Sequence, residues 1–215
     1  QAFAAGKVAA FLSIEGAELL NCDPALLKTA EEWGVRAVNL TWNNPNAVSG
    51  TNCKETERGL SEIGRAFVKE AEKRNIRLDV SHVSDRGFWD LVEIGEGAIV
   101  ATHSNARSLC SHSRNLTDDQ FRAIRDSGGV VGINLYLHFV GKPTMDALVA
   151  HVEHFLNLGG EKTICLGGDL DGCEVLAAGM EGIQDVPCLY DALRARGYSA
   201  ELLEDIFWNN LRRLF

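Results

Sequence analysis

Residues 76–104 read IRLDVSHVSDRGFWDLVEIGEGAIVATHS, and they give the clearest indication of the fold class. It begins and ends with a short apolar run, and a histidine follows each run, His82 after the first and His103 after the second. The segment between the two runs, residues 85–93, is typical of a helix. A strand, a helix and a second strand within about 30 residues form the pattern of a parallel βαβ unit.

The same alternation continues in both directions along the chain. The strand-like runs are rich in Val, Ile and Leu with little polar alternation, which favours strands that are buried on both faces. They span residues 8–14, 37–41, 76–81, 98–102, 129–136 and 163–167. Helices are predicted at residues 24–33, 61–74, 85–93, 117–126, 144–158, 187–196 and 199–214. Thr117 and Gln120 form a capping-box pattern at the start of one of them.

The pattern predicts an α/β fold, and the choice lies between an open doubly wound sheet and a closed barrel. No G-x-G-x-x-G follows any strand, which weakens a dinucleotide-binding fold. A TIM-type (β/α)8 barrel has eight strands, whereas only six are predicted. Because residue 1 is Gln rather than Met, we expect this chain to lack the first one or two strands of such a barrel. At 215 residues and 46% hydrophobic, the chain is expected to form a single, N-terminally incomplete domain over residues 1–215.

The composition of the chain excludes some classes of binding partner and favours others. A formal net charge of -9 and a pI near 5.2 argue against nucleic acid, which needs a basic surface. No apolar run is long enough for a transmembrane segment, and no leader pattern is present at the start. The six cysteines form no C-x-x-C pair and are too sparse for a disulfide framework, so we expect reduced thiols and a cytoplasmic location.

Four of the strand-like runs end on a residue that can bind a metal or move a proton. They read VAAFLSIEG with Glu15, IRLDVSH with His82, AIVATHS with His103 and TICLGGDLDG with Asp169. Glu15 alone is better explained as a helix-capping acid, and either histidine alone as a satisfied polar residue. Because parallel barrels collect their chemistry at the carboxyl ends of the strands, the four together indicate a metal-hydrolase site. Imidazoles suit zinc, a carboxylate can bridge two ions, and Asp169 could act as a base.

Further residues have more than one interpretation. Arg114, in the loop after the His103 strand, could clamp a substrate carboxylate or could be an ordinary surface arginine. Trp42 ends strand 37–41 at the expected mouth of the barrel, whereas Trp33 is expected to be a packing residue. His151 and His154 lack the H-E-x-x-H pattern and are expected on a solvated helix face.

Several segments, in this order and spacing, resemble the zinc-dependent membrane dipeptidase (renal dipeptidase-like) family, which is related to amidohydrolases. The resemblance runs nearly the whole length of the chain. The segments are FLSIEGAELL, VNLTWNNPNAVSG, GLSEIGRAFVKEAEKRNIRLDVSHVS, IVATHSNARSLCSHSRNLTDDQ, GGVVGINLY, LGGDLDG and NNLRRLF. The resemblance implies an eight-stranded barrel with two zinc ions that hydrolyses dipeptides and tolerates a D-residue at the C-terminal position.

The resemblance also implies roles for individual residues. Glu15 would bridge both zinc ions, and His82 and His103 would complete the second zinc site. Arg114 would bind the C-terminal carboxylate of a dipeptide. Asp169 would take a proton from water and pass it to the leaving amine.

Two departures from the family pattern affect these expectations. The His-x-Asp pair on the family's first strand, which holds the other zinc, is absent from these residues. Two zinc ions are expected in the complete family site, and this chain could hold one or none. Trp42 stands where mammalian members carry a histidine, so we expect Trp42 and Asn43 to contact the substrate and to shift its preference.

Two other functions stay open at this point. The chain could be a non-catalytic or metal-deficient remnant of the same barrel, or it could catalyse another amidohydrolase-type hydrolysis. The expected partner is a dipeptide substrate. A homodimer is compatible with the sequence but not required by it. The family includes surface-anchored members as well as cytosolic ones, which leaves the location open.

Overall fold

The computed structural model describes residues 10–215, so residues 8 and 9 of the first predicted strand lie outside the described residues. The chain divides into two compact units, the first ending at Gly95 and the second running from Glu96 to Phe215. Each unit combines parallel strands with helices.

The first unit contains three short strands, and the middle one pairs in parallel with both others. The elements are β1 (Leu12–Ile14), α1 (Leu27–Glu32), β2 (Val35–Asn39), α2 (Glu62–Lys73), β3 (Arg77–Asp79) and α3 (Asp85–Ile94). Ala37 and Val38 of β2 are fully buried, as expected for the central strand of a covered sheet. Ser61 and Ser84 cap α2 and α3 by accepting hydrogen bonds from the backbone N–H of Gly64 and Gly87.

The second unit repeats this arrangement, with its middle strand again in parallel with both neighbours. Its strands are β4 (Ile99–Ala101), β5 (Val130–Ile133) and β6 (Ile164–Leu166). Its helices are α4 (Asp118–Asp126), α5 (Leu137–Val140), α6 (Met145–Asn157), α7 (Val186–Ala195), α8 (Ala200–Glu204) and α9 (Asn210–Leu214). The capping box of Thr117 and Gln120 is confirmed at the start of α4, and the rings of Phe121 and Phe155 stack 4.1 Å apart between α4 and α6.

Two glycines allow the backbones of the second unit to approach closely at the carboxyl ends of its strands. A Cβ atom on Gly132 would lie 2.0 Å from the carbonyl oxygen of Thr102, and one on Gly167 would lie 2.1 Å from that same oxygen. Any side chain at either position would therefore collide with backbone. The absence of side chains here keeps the polar residues that follow β4, β5 and β6 close together.

The last helix is interrupted, whereas the sequence predicts one continuous helix over residues 199–214. A π-helical turn, Asp205–Asn209, separates α8 from α9. After this wider turn the buried side chain of Asn210 donates from Nδ2 to the carbonyl oxygens of Glu161 and Ile164, both at 2.8 Å. The extra residue in the turn directs this amide toward the start of β6, which hydrophobic periodicity alone does not predict.

All six predicted strands are confirmed; five are shorter than predicted, whereas β2 has the predicted length but begins two residues earlier. Two expectations about single residues are wrong. His151 is 1% exposed rather than solvated, and Trp33 is 66% exposed rather than packed. No helix in the described part of the chain is long and apolar enough to cross a membrane.

Candidate metal centre and its polar surroundings

In the first unit, Glu15 and His82 meet although they lie far apart in sequence. Glu15 directly follows β1 and His82 follows β3, which places both at the carboxyl ends of strands. Glu15 Oε1 lies 3.0 Å from His82 Nε2. The imidazole side chain is 6% exposed and the carboxylate 46% exposed, so the pair lies at the surface of the unit with its histidine covered. This Glu/His pair belongs to a group of residues that could hold a metal ion.

The local structure fixes the chain on both sides of this pair. The fully buried Asp79 accepts hydrogen bonds at Oδ1 from the backbone N–H and the hydroxyl of Ser81, at 2.9 and 2.6 Å. Asn52 donates from its backbone N–H to the carbonyl of His82 at 3.0 Å. Gly16, directly after Glu15, has a φ of 107°, a conformation that favours glycine and turns the chain immediately after the carboxylate.

In the second unit, His103 is 7% exposed and follows β4. Its Nδ1 lies 2.7 Å from the hydroxyl oxygen of Thr102. When Nε2 serves as the metal-binding nitrogen of a histidine, Nδ1 carries the hydrogen and donates it to such a partner. The contact therefore suits His103 as an Nε2 ligand.

Asp169 lies beyond the end of β6, partly buried, in a loop of its own. Its φ of 55° is in the left-handed region, which aspartate tolerates better than most residues. Asn134 donates from Nδ2 to Asp169 Oδ2 at 3.2 Å. Cys173 donates from Sγ to the Asp169 carbonyl at 3.2 Å, and burial raises the pKa of this thiol to about 11, so it stays protonated at neutral pH.

Arg114 is buried in the second unit, with only 5% of its surface exposed, which rules out an ordinary surface arginine. Its guanidinium carbon lies 5.2 Å from the ring centroid of Phe139, within the range of a cation–π contact. The backbone N–H of Arg114 donates to His112 Nδ1 at 3.1 Å. Burial lowers the pKa of His112, and the charge of Arg114 lowers it further. A neutral His112 accepts the hydrogen bond that holds the Arg114 backbone.

Trp42 and Asn43 lie in the exposed loop after β2, and the tryptophan is 45% exposed. The loop itself is well anchored. Asn46 donates from Nδ2 to the Leu40 carbonyl at 2.9 Å and to Glu18 Oε2 at 2.7 Å. An exposed aromatic ring on an anchored loop is suited to contact a ligand.

Sequence reasoning missed two polar residues that the second unit holds in its interior. Asn134 is fully buried and bonded to Asp169, and it follows β5 in the same way that the predicted site residues follow their strands. Its position directly after a strand could have identified Asn134 from the sequence. His151, by contrast, accepts from the Ala106 N–H at Nδ1 and donates from Nε2 to the Val140 carbonyl, contacts that no local pattern indicates.

In this chain parallel strands alternate with helices, and carboxylate, imidazole and amide groups follow the strand ends. This arrangement is typical of TIM-barrel metalloenzymes. The comparison with known families is more specific. The chain belongs to the membrane dipeptidase family, peptidase family M19, whose family model matches residues 1–215.

Individual relatives agree with this assignment. The chain is 36% identical to an uncharacterized protein in the pqqA 5' region of Klebsiella pneumoniae, over 97% of this chain and 82% of that protein. It is 30% identical to an uncharacterized dipeptidase of Schizosaccharomyces pombe, over 99% of this chain and 54% of the dipeptidase.

A solved structure gives the same result for the fold. A metallopeptidase from Rhodobacter sphaeroides, liganded with a phosphinate mimic of the dipeptide L-Ala-D-Ala, matches with a TM-score of 0.92 and 30% identity. The match covers 98% of this chain and 64% of that one. The predicted α/β fold of the TIM-barrel type is thereby confirmed, and six parallel strands are consistent with part of such a barrel. The chain spans less than two thirds of two of these three relatives.

Proposed function

We propose that this protein is a zinc-dependent dipeptidase that hydrolyses the single peptide bond of short dipeptides. The observation that carries the proposal is the contact between Glu15 and His82 after the ends of β1 and β3. Membership of peptidase family M19 supports it. The activity, the metal and the substrates are all part of the proposal.

The donor set fits a zinc ion. A carboxylate oxygen and an imidazole nitrogen 3.0 Å apart are ligand types that Zn²⁺ accepts in tetrahedral sites with an open position. We propose His103 as a further ligand through Nε2, with Glu15 available to bridge to a second ion. Bound zinc supplies a Lewis acid for the scissile carbonyl and lowers the pKa of water toward neutrality.

Asp169 is the proposed proton carrier. A carboxylate in a partly buried loop can accept a proton as the nucleophilic water attacks, and can donate it to the leaving amine. The hydrogen bond from Asn134 leaves the second carboxylate oxygen, Oδ1, for this exchange.

Arg114 is the proposed anchor for the C-terminal carboxylate of the substrate. A guanidinium can bind a carboxylate through two parallel hydrogen bonds, and burial strengthens such a pair. Since only a dipeptide places its carboxylate at one fixed distance from the scissile bond, this anchor would select for substrate length. Trp42 and Asn43 would contact the side chains of the substrate.

The stereochemical preference is part of the same proposal. The Rhodobacter sphaeroides metallopeptidase is liganded with a mimic of L-Ala-D-Ala. We propose that this protein likewise accepts a D-residue at the C-terminal position, which makes L-Ala-D-Ala the substrate of choice for a first assay.

The test is hydrolysis of L-Ala-D-Ala and L-Ala-L-Ala by the intact protein, with and without zinc, followed by chromatography of the released alanine. We expect zinc-dependent release that Asp169→Ala abolishes. Absence of zinc binding would instead support a metal-deficient remnant. Zinc binding without dipeptide hydrolysis would direct the search to other amide bonds.

Location and oligomeric state are separate proposals. All six cysteines are free, which favours a reducing compartment, and we propose the cytoplasm. Cell fractionation tests the location, and light scattering of the purified protein distinguishes a homodimer from a monomer.

A further inference from the structure

We propose that Asn134 is a positioning residue that holds the Asp169 carboxylate in the orientation needed for proton transfer. The inference rests on the proposed function, in which Asp169 carries the proton. Asn134 lies directly after β5 in the second unit. In the sheet, β5 lies between β4, which precedes His103, and β6, which precedes Asp169. It is fully buried and makes hydrogen bonds through both its backbone and its side chain.

The orientation of the Asn134 amide is fixed by its surroundings. Its Oδ1 accepts a hydrogen bond from the backbone N–H of Tyr136 at 2.7 Å. Its backbone N–H donates to Asn105 Oδ1 at 3.0 Å, and its carbonyl accepts from Asn105 Nδ2 at 2.9 Å. Because Oδ1 must face the Tyr136 N–H, Nδ2 must face the opposite way. A flipped amide would lose the Tyr136 bond.

The fixed Nδ2 presents two N–H groups to two acceptors. It lies 3.2 Å from Asp169 Oδ2 and 3.4 Å from the carbonyl oxygen of His103. The amide therefore connects the backbone after β4 to the carboxylate after β6. A hydrogen bond to a charged acceptor is stronger than one between neutral groups, so the contact with Asp169 is the more valuable of the two.

Asp169 needs such a partner because the contacts within its own loop do not fix the orientation of its carboxylate. It is only partly buried and follows two successive glycines, Gly167 and Gly168. The backbone around it is held by bonds from the Gly172 N–H and the Cys173 thiol to the Asp169 carbonyl, and neither of these touches the carboxylate. With Oδ2 held by Asn134, Oδ1 becomes the oxygen that exchanges the proton.

The expected effect is on turnover rather than on substrate binding. Loss of one hydrogen bond to a charged group corresponds to a fall in kcat of about 10- to 100-fold. KM and zinc content should change by less than about twofold, because Asn134 contacts neither the proposed substrate anchor nor a proposed ligand side chain.

The experiment compares Asn134→Asp with Asn134→Ala in the intact protein, using zinc and L-Ala-D-Ala. Asn134→Asp keeps the size and the acceptor for Tyr136 but replaces the N–H donor with an oxygen. We expect both variants to lose turnover while KM and zinc content change little. Asn134→Asp also places a second carboxylate in a buried position beside Asp169, so its Tm is expected to fall, and Asn134→Ala removes the donor without adding that charge. Asn210→Ala is the matched control, since Asn210 is another fully buried asparagine with two Nδ2 bonds, and it lies outside the site.

The outcomes separate this inference from the proposed function. Wild-type kcat in Asn134→Asp, while Asp169→Ala is inactive, overturns the inference and leaves the proposed function standing. Turnover retained in Asp169→Ala removes the proton carrier and the inference together. A fall in kcat that matches the loss of Tm, as calibrated by Asn210→Ala, would show a purely structural role and overturn the inference as well.

Discussion

Glu15 Oε1 and His82 Nε2 lie 3.0 Å apart in the folded chain, although 67 residues separate them in sequence. Parallel pairing of β2 with both β1 and β3 produces this contact, because the carboxyl ends of all three strands then lie on one side. Two of the proposed zinc ligands, a carboxylate and an imidazole, are therefore adjacent in the folded chain.

Glu15→Gln keeps the side-chain size and removes the negative charge. We expect the affinity for zinc to fall by at least about tenfold, since even indirect partners of a metal contribute this much. Competition with a chromophoric chelator measures it. Asp118→Asn is the control, because Asp118 forms another carboxylate–histidine pair with His154 at 2.8 Å, away from the strand ends. Equal losses in both variants would contradict the assignment of Glu15.

Arg114→Lys retains the positive charge but cannot form two parallel hydrogen bonds with a carboxylate. We expect KM for L-Ala-D-Ala to rise by about 10- to 100-fold while kcat changes little. Steady-state kinetics measure both. Arg122→Lys serves as the control, since Arg122 pairs with Asp119 on the exposed face of α4. An unchanged KM in Arg114→Lys would exclude Arg114 as the substrate anchor.

Trp42→Ala removes an exposed ring from the loop after β2. Since just over half of this large residue is covered, we expect the free energy of unfolding to fall by about 1 to 2 kcal/mol. KM should rise several-fold if the ring contacts the substrate. Trp33→Ala, which removes a 66% exposed tryptophan of the same unit, should leave KM unchanged. Similar KM values for both variants would argue against a substrate contact at Trp42.

The buried His151 predicts a loss of stability in acid. Burial lowers its pKa below the ordinary value of 6.5, so the folded state keeps the imidazole neutral where the unfolded state already binds a proton. Above 6.5 both states are neutral and His151 adds no pH dependence. As the pH falls below 6.5 the free energy of unfolding decreases, until the pH reaches the lower folded-state pKa. The pKa of His112 is also lowered, so it acts in the same direction.

Urea unfolding at pH 7.5 and pH 5.5 tests this. His151→Gln keeps a neutral side chain that can donate and accept, and we expect a smaller difference between the two pH values than in the wild type. The remaining difference should shrink further when His112→Gln is added. The same pH difference in His151→Gln and wild type would show that another group carries the effect.

Gly132→Ala should prevent or severely weaken folding of the second unit. The new Cβ would lie 2.0 Å from the Thr102 carbonyl and 2.7 Å from the Gly167 Cα, and neither atom belongs to a movable side chain. We expect a loss of at least about 3 kcal/mol in the free energy of unfolding, from thermal or urea melts. Gly128→Ala is the comparison, since its Cβ would meet nothing within 4 Å and only its φ of +77° is unfavourable. A smaller loss for Gly132→Ala than for Gly128→Ala would contradict this.

The sequence predicts the strands of this protein well because they are buried on both faces. A continuous apolar run such as that around Val130 is uncommon outside a covered parallel sheet. The helix starts are equally clear, since the side chains of Ser61 and Thr117 cap the backbone locally. The strand ends are less predictable. The predicted strand 129–136 runs through Asn134, yet β5 stops at Ile133 because the Asn134 side chain takes over the hydrogen bonding.

The residues of the candidate site also differ in how well the sequence predicts them. Position at a strand end is enough to identify Glu15, His82, His103 and Asp169 as candidates from the sequence. The partners that orient such side chains depend on contacts between distant segments, as between Asn134 and Asp169, and hydrophobic periodicity carries no information about them. His151 shows the same limit, because its helix is strongly apolar on several sides and the buried position of one polar residue is not marked.

The π-helical turn Asp205–Asn209 sets the orientation of the helix that follows it. If the turn closed to regular α geometry with the same number of residues, all that follows would rotate by about 100°, which would carry the Asn210 amide away from the carbonyls of Glu161 and Ile164. Regular geometry would favour the local hydrogen bonds of the helix and at the same time detach it from β6. The wider turn therefore absorbs one residue, so that α9 keeps the rotation that its anchor on β6 requires.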